Sequence, residues 1–283
     1  VRWGRFYSLG YSWNIHNEQF FNSEIIDLLK LKTSYGTNGN SRLGSQEALG
    51  IYSYGDSYNY YNEQGTVMTR TPQPTLSWET TYMANIGFRI RLFDFVDIDA
   101  EWYNNKTTNL LSKMDVSRTT GSTSITRNIG EIRNRGYEAT LSFDWIKNTD
   151  LDWSTNINFS HNKNILLKLY DGIVKTVNEK LWKEGEGIDT YYLVRWAGVD
   201  PRDGAPLWYD KDGNITRTYS YDNRVTGKSS TPDLTGGFTN TVGYKNFTLS
   251  MLFNFEIGGY AFSSYARNVV SDGLNIMSPG SFQ

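Results

Sequence analysis

The sequence predicts an all-β chain, a stretch of transmembrane antiparallel β-barrel wall with long extracellular loops. Three observations predict it. Apolar and polar residues alternate with period two over segments longer than soluble strands usually reach. The connections between those segments alternate short and long, and aromatic rings bracket the short ones.

Successive side chains on a strand point to opposite faces, so alternation separates a wet face from a greasy one. From the amino terminus, Val1, Trp3, Tyr7, Leu9, Tyr11 and Trp13 alternate with Arg2, Gly4, Ser8, Gly10, Ser12 and Asn14. A weaker strand covers residues 27–37. From Trp78, one face takes Tyr82, Ala84, Ile86, Phe88, Ile90 and Leu92, with Thr80 as a polar intruder. The other takes Glu79, Thr81, Met83, Asn85, Gly87, Arg89 and Arg91. Val96, Ile98, Ala100 and Trp102 alternate with Asp97, Asp99, Glu101 and Tyr103. Tyr137, Ala139, Leu141, Phe143 and Trp145 alternate with Glu138, Thr140, Ser142 and Asp144. Trp153, Ile157 and Phe159 alternate with Ser154, Asn156, Asn158 and Ser160. A second weak strand spans 234–244. The clearest follows, with Phe247, Leu249, Met251, Phe253, Phe255 and Ile257 against a polar set broken only by Leu252. These make about eight strands, most longer than the typical 5–6 residues of a soluble sheet. A tilted strand needs about 9–11 residues to cross a bilayer.

Short connections fall at 93–95, 146–151 and 244–247, with a middling one at 16–25. Long ones fall at 38–77, 106–125 and 169–233. Phe93 with Phe95, Trp145 with Trp153, and Tyr244 with Phe247 flank the short turns at matching heights, as an interfacial girdle would. By parity Arg89, Arg91, Asp97, Asp99, Glu101, Glu138 and Asp144 face the interior. There they either tune a channel's field or pair across strands. A soluble β-sandwich also alternates, but it requires neither strands of this length nor the short–long rhythm.

Composition agrees with a half-wet, half-greasy surface. Hydrophobic residues are 38%, below the roughly 45–50% of soluble domains, while aromatics reach 15%. A net charge of −2 without a basic stripe argues against nucleic acid. With no Cys, disulfides and thiolate metal sites have no residues to use, and two His argue against a transition-metal or His-based catalytic site. No phosphate loop, dinucleotide fingerprint or nucleophile elbow is present, so no cofactor and no catalytic residue is expected. No run of about 18 apolar residues offers a transmembrane helix.

Three smaller features carry candidate chemistry. Tyr52, Tyr54, Tyr58, Tyr60 and Tyr61 crowd one long loop, where rings could stack on a sugar face or a partner, or simply pack together. Asp200-Pro201-Arg202-Asp203-Gly204 and Asp210-Lys211-Asp212-Gly213-Asn214 resemble fragments of calcium loops. Position twelve from Asp210 is Tyr221 rather than Glu, so both are read as hairpin turns. His16 and His161 lie far apart in sequence.

A series of short motifs runs in order along the chain. It begins with Arg5-Phe6-Tyr7-Ser8 and Gly10-Tyr11-Ser12-Trp13, then Leu29-Lys30-Leu31-Lys32-Thr33-Ser34-Tyr35-Gly36-Thr37-Asn38-Gly39-Asn40. Trp78-Glu79 with Asn85-Ile86-Gly87 follows, and then Tyr103 through Thr107-Thr108-Asn109-Leu110-Leu111. Asn128-Ile129-Gly130-Glu131, Asn134-Arg135-Gly136-Tyr137-Glu138, Asn158-Phe159-Ser160 and Gly236-Gly237 ahead of Tyr244-Lys245 complete it. In this order the chain resembles the barrel of SusC/RagA-type TonB-dependent outer-membrane transporters, with Asn109 where the family has Asp. The resemblance implies a barrel of about 22 strands in the outer membrane of a Gram-negative bacterium. It implies an N-terminal plug, a SusD-like surface lipoprotein as lid, energy from TonB, and import of oligosaccharides or peptides without chemistry on them. Residues 1–283 would all belong to the barrel domain, with plug and remaining strands outside this sequence. The tyrosine cluster then becomes a contact for substrate or lid, and the run 133–135 is expected to help hold the plug. The rival readings are an adhesin or structural barrel without transport, and a soluble carbohydrate-active β-enzyme, which needs a paired set of carboxylates.

Overall fold

The computed structural model describes residues 3–40, 48–55, 58–59, 61, 63–120, 122–148, 150–170 and 175–263. Among these, eight strands form one antiparallel sheet: β1 Ser8–Asn14, β2 Ile26–Asn40, β3 Glu79–Leu92, β4 Val96–Asp115, β5 Ser124–Lys147, β6 Leu151–Leu169, β7 Leu234–Tyr244 and β8 Phe247–Ile257. Sheet order follows chain order, so the wall is an up-and-down meander with β1 and β8 at its edges. It does not close on itself.

The register shows why alternation was so regular. One row runs Trp13, Leu31, Phe88, Ala100, Ala139, Phe159, Gly236 and Phe255 across all eight strands. The next row runs Ser12, Lys32, Gly87, Glu101, Glu138, Ser160, Thr235 and Glu256. Apolar and polar sets therefore form two continuous faces. The apolar face extends from the row of Leu92, Val96, Phe143, Thr155, Asn240 and Met251 to that of Thr33, Ile86, Trp102, Tyr137 and His161. Over that height it holds no Asp, Glu, Lys or Arg. It is also uncovered, with Ile86 48%, Phe88 41% and Phe253 59% exposed. A sandwich would lay a second sheet on this face about 10 Å away; among the described residues none does so.

Buried apolar residues gather at the long-loop end instead. Ile129, Leu166 and Leu169 form a small core against which Trp182 and Ile188 pack. Backbone bonds stitch the loop to the wall there: Leu166 N–H donates to the Glu186 carbonyl and Gly185 N–H to the Leu166 carbonyl, each at 2.8 Å.

Three expected boundaries need correction. Residues 106–125 are not one long loop: β4 runs to Asp115 and β5 starts at Ser124. Register shifts beside Asn109, at φ +57°, break the parity, so no single alternation runs through the whole of either strand. The connection after β6 is not structureless either. It holds a four-stranded sheet, ordered Arg224–Ser229, Thr190–Val194, Lys180–Trp182 and Lys175–Val177, and a three-stranded one of Trp196–Val199, Pro206–Tyr209 and Ile215–Thr216. At the chain start the strand begins at Ser8, and Val1 and Arg2 lie outside the described residues. The connection between β2 and β3 carries one hairpin, Ile51–Tyr54 with Thr66–Arg70.

Candidate functional site

Four of the ordered motifs meet at one point on the long-loop rim. The Asn128 amide accepts the Ser77 N–H at 2.9 Å and donates to the carbonyls of Ser77 and Asn109 at 2.9 and 2.7 Å. Glu79 accepts the Leu111 N–H at 2.7 Å with one oxygen and the Asn40 amide at 2.7 Å with the other. The bulge at Asn109 frees backbone groups from the ladder, and these side chains satisfy them. Residues far apart in sequence thus fix the rim from which the outer loops rise.

Above the rim, Asp200 organises the three-stranded sheet. It is 5% exposed and accepts Arg202 Nε and Nη2 at 3.0 and 2.8 Å, the Arg202 N–H at 3.0 Å, and Arg217 Nη2. Arg217 Nη1 also reaches Asp203 at 2.7 Å. The Arg202 and Arg217 bonds hold the Asp200 carboxyl well below the usual carboxylate range. The Ala205 N–H and Arg217 lower Asp203, and the Asn214 N–H lowers Asp210. Both Asp-Gly pairs are hairpin turns, with Gly204 at φ +73° and Gly213 at φ +91°, conformations open to glycine. Two guanidinium groups already occupy Asp200. No group of three or more potential metal ligands occurs among the described residues.

On this scaffold sits a run of rings that sequence reasoning passed over. Trp196 meets Trp208 at 4.9 Å, Trp208 meets Tyr219 at 5.0 Å, and Tyr219 meets Tyr221 at 5.4 Å, all edge-to-face. Burial pushes the Tyr219 hydroxyl up. The Arg224 guanidinium lies 4.7 Å from the Tyr192 ring centre and 5.2 Å from that of Tyr221. Tyr192, Tyr219, Tyr221 and Arg224 help line a cavity of about 480 Å³. The signal was present as Trp and Tyr flanking the two Asp-Gly turns.

The singled-out residues are distributed as follows. Tyr52, Tyr54, Tyr58 and Tyr61 are all exposed, Tyr61 at 92%, and Tyr52 and Tyr54 stand on the loop hairpin. Tyr60 lies outside the described residues. Arg89, Arg91, Asp97, Asp99, Glu101, Glu138 and Asp144 all fall on the polar face by register. Arg89 grips Asp97 with Nε and Nη2 at 3.0 and 2.9 Å, and Arg91 reaches it at 3.4 Å. Asp144 joins these three around a cavity of about 180 Å³. Asp99 pairs at 2.7 Å with Lys32, a partner not foreseen. Glu101 and Glu138 stand directly opposite each other, and no described cation pairs with either.

At the short-turn end, rings touch in sequence: Phe93 to Phe95 at 6.1 Å, Phe95 to Trp145 at 6.1 Å, and Trp145 to Trp153 at 5.9 Å. Tyr244 and Phe247 face each other across the last turn. His16 Nδ1 bonds the Leu29 carbonyl, whereas His161 bonds the Asp233 carbonyl and stacks on Tyr137 at 5.0 Å. The two histidines share no site. Arg133 and Arg135, expected to hold a plug from within, instead share the face of Tyr137 and Trp102. Parity counted back from Tyr137 puts them there.

A meandering wall with one face uncharged between the Leu92 and Trp102 rows and one ion-paired face, bearing folded loops at one end, is the architecture of a transmembrane β-barrel. The chain belongs to the TonB dependent receptor-like β-barrel family, whose model matches residues 2–275. It is 32% identical over 305 residues to TonB-dependent receptor P3 of Formosa agariphila, covering 95% of this chain and 30% of that protein. To TonB-dependent receptor SusC of Bacteroides thetaiotaomicron it is 27% identical, covering 96% of this chain and 30% of that one. Among solved structures, the RagAB peptide transporter superposes with a TM-score of 0.81 at 28% identity, over 89% of this chain and 29% of the other. Within the family the chain is therefore of the SusC/RagA type. It spans about a third of the length of the relatives it matches.

Proposed function

We propose that this chain forms wall and outer loops of a TonB-energised transporter in a Gram-negative outer membrane, importing oligosaccharides or peptides beneath a SusD-like lipoprotein lid. The observation that carries the reading is the partition of charge between faces, kept in register across eight strands. A face without charge across the Leu92 to Trp102 rows suits lipid. The opposite face suits a wet interior, because Glu101 and Glu138 side by side are tolerable only where water screens them. On this reading the short-turn rings Phe93, Phe95, Trp145, Trp153, Tyr244 and Phe247 sit at the periplasmic interface. The outer loops face the cargo. The run from Trp196 to Tyr221, beside Arg224, offers flat faces for stacking and a fixed positive charge, and the tyrosines of the loop hairpin offer a second contact for cargo or lid.

The test uses the complete protein in its native membrane. Uptake of labelled oligosaccharides and oligopeptides is followed in wild-type cells, in cells lacking TonB, and in cells with Trp208→Ala and Tyr221→Ala together. Transport predicts loss of uptake without TonB and roughly tenfold weaker cargo binding in the double variant, from about 0.5–1.5 kcal/mol for each ring. Uptake that is indifferent to TonB would leave the adhesin or structural barrel as the better account.

A further inference from the structure

We infer that the apolar-side face of β4, β5 and β6, just above the Trp102–Tyr137–His161 row, binds the phosphorylated headgroup of an outer-leaflet glycolipid. The inference rests on the membrane reading above and adds a ligand to it.

The face changes character within one residue pair. Below, it holds no charge. The next rows are Asn104, Arg135 and Lys163, then Lys106, Arg133 and Ile165, and then Glu131 with Lys168. Five cations stand against one carboxylate, in a chain whose net charge is −2. Composition therefore does not explain the band. Glu131 is already taken by Lys106 at 2.7 Å. Arg135, Lys163 and Lys168 are exposed, and no described carboxylate pairs with them or with Arg133, whose Nε is buried without a hydrogen-bond partner. Arg135 and Lys163 stand directly opposite each other on adjacent strands, a like-charge arrangement that costs stability unless an anion lies between. At the same height the other face carries neutral Asn105, Asn134 and Asn164, so the charge is sorted to the lipid side.

Height selects the partner. A band immediately above an apolar belt lies at headgroup level, at the end that bears the long loops. Phosphate suits the residue types, since Arg offers a planar fork and Lys a point charge. A protein docking there would be expected to find an apolar anchor among the cations; on β4, β5 and β6 Ile165 is the sole apolar side chain in these rows.

The experiment reconstitutes the complete protein into phosphatidylcholine vesicles containing bisphosphorylated lipid A, or lipid A stripped of phosphate. Wild type is compared with Arg135→Gln plus Lys163→Gln, and with Lys168→Gln as a milder variant. Vesicle flotation reads insertion; mass spectrometry of the re-extracted protein reads retained lipid. We expect equal flotation, retention of phosphorylated lipid A by wild type, and about thirtyfold less by the double variant, from about 1 kcal/mol for each charge. Lys168→Gln should fall between, and phosphate-free lipid should be retained by none. Equal retention by wild type and variants, or retention regardless of phosphate, overturns the inference. So does a co-purifying protein that the double variant loses while lipid retention stays unchanged. Insertion without any retained lipid A overturns it but leaves the membrane reading intact, whereas failure to float overturns both.

Discussion

The Glu79 carboxylate accepts the Leu111 backbone N–H at 2.7 Å, across the bulge where Asn109 turns left-handed. One side chain thereby replaces a rung the ladder cannot make. Glu79→Ala should strand that amide, costing about 1–3 kcal/mol. Faster hydrogen exchange at Leu111 and its neighbours, with the membrane-level strands unchanged, is the expected reading. Unchanged exchange at Leu111 would show that the contact contributes little.

Leu141 and Ser142 are adjacent in sequence and lie on opposite faces of β5. Arginine at Leu141 should cost roughly 2–4 kcal/mol if that row lies near the bilayer midplane, and Ser142→Arg much less. Denaturant unfolding in liposomes measures the difference. Equal costs on both faces would refute the assignment of the lipid side.

Leu166, at 0% exposed, is the centre of the small outer core. Leu166→Ala should destabilise the packing of the outer sheets on β5 and β6 by about 2–5 kcal/mol. Limited proteolysis between β6 and β7 reports it, and the barrel strands should resist as before. Wild-type resistance of the loop would mean that the backbone bonds to Glu186 and Gly185 suffice to hold it.

Acid should loosen the three-stranded sheet first. Asp200, Asp203 and Asp210 all have carboxyls lowered below their ordinary values. A depressed carboxyl stabilises the fold above its unfolded value, about 3.9, and that contribution is lost as pH falls through the folded value. Tryptophan emission from the Trp196–Trp208 pair should therefore stay constant from pH 7 to about 4 and change below it. Asp200→Asn should remove most of that acid step. A variant with the wild-type profile would place the transition elsewhere.

The wall was legible because lipid and water impose period two, and the stretch from Phe247 to Ile257 shows it almost without exception. Lys32 was readable in principle: parity from Leu29 and Leu31 turns it inward, toward Asp99. Arg133 and Arg135 were misplaced because the run was read without carrying the parity of Tyr137 back to it. The upper halves of β4 and β5 were missed for a physical reason, since the bulge at Asn109 resets the parity that marks the membrane-level halves. The Asp200–Arg217 pair and the aromatic run depend on how two hairpin turns fold back, and no local pattern encodes that.

The meander also bears on the order in which the wall assembles. The pairs β3–β4, β4–β5, β5–β6 and β7–β8 each join strands separated by a short turn, so their loop-closure entropy is small. Two joints differ: β2 meets β3 only after residues 41–78, and β6 meets β7 only after residues 170–233. Low contact order favours the hairpins as early units, leaving these two seams to form last. At the second seam, the outer sheets lie in the segment that must be closed. A chain delayed there would hold two finished ribbons with unpaired edges along β6 and β7, open to the wrong partner.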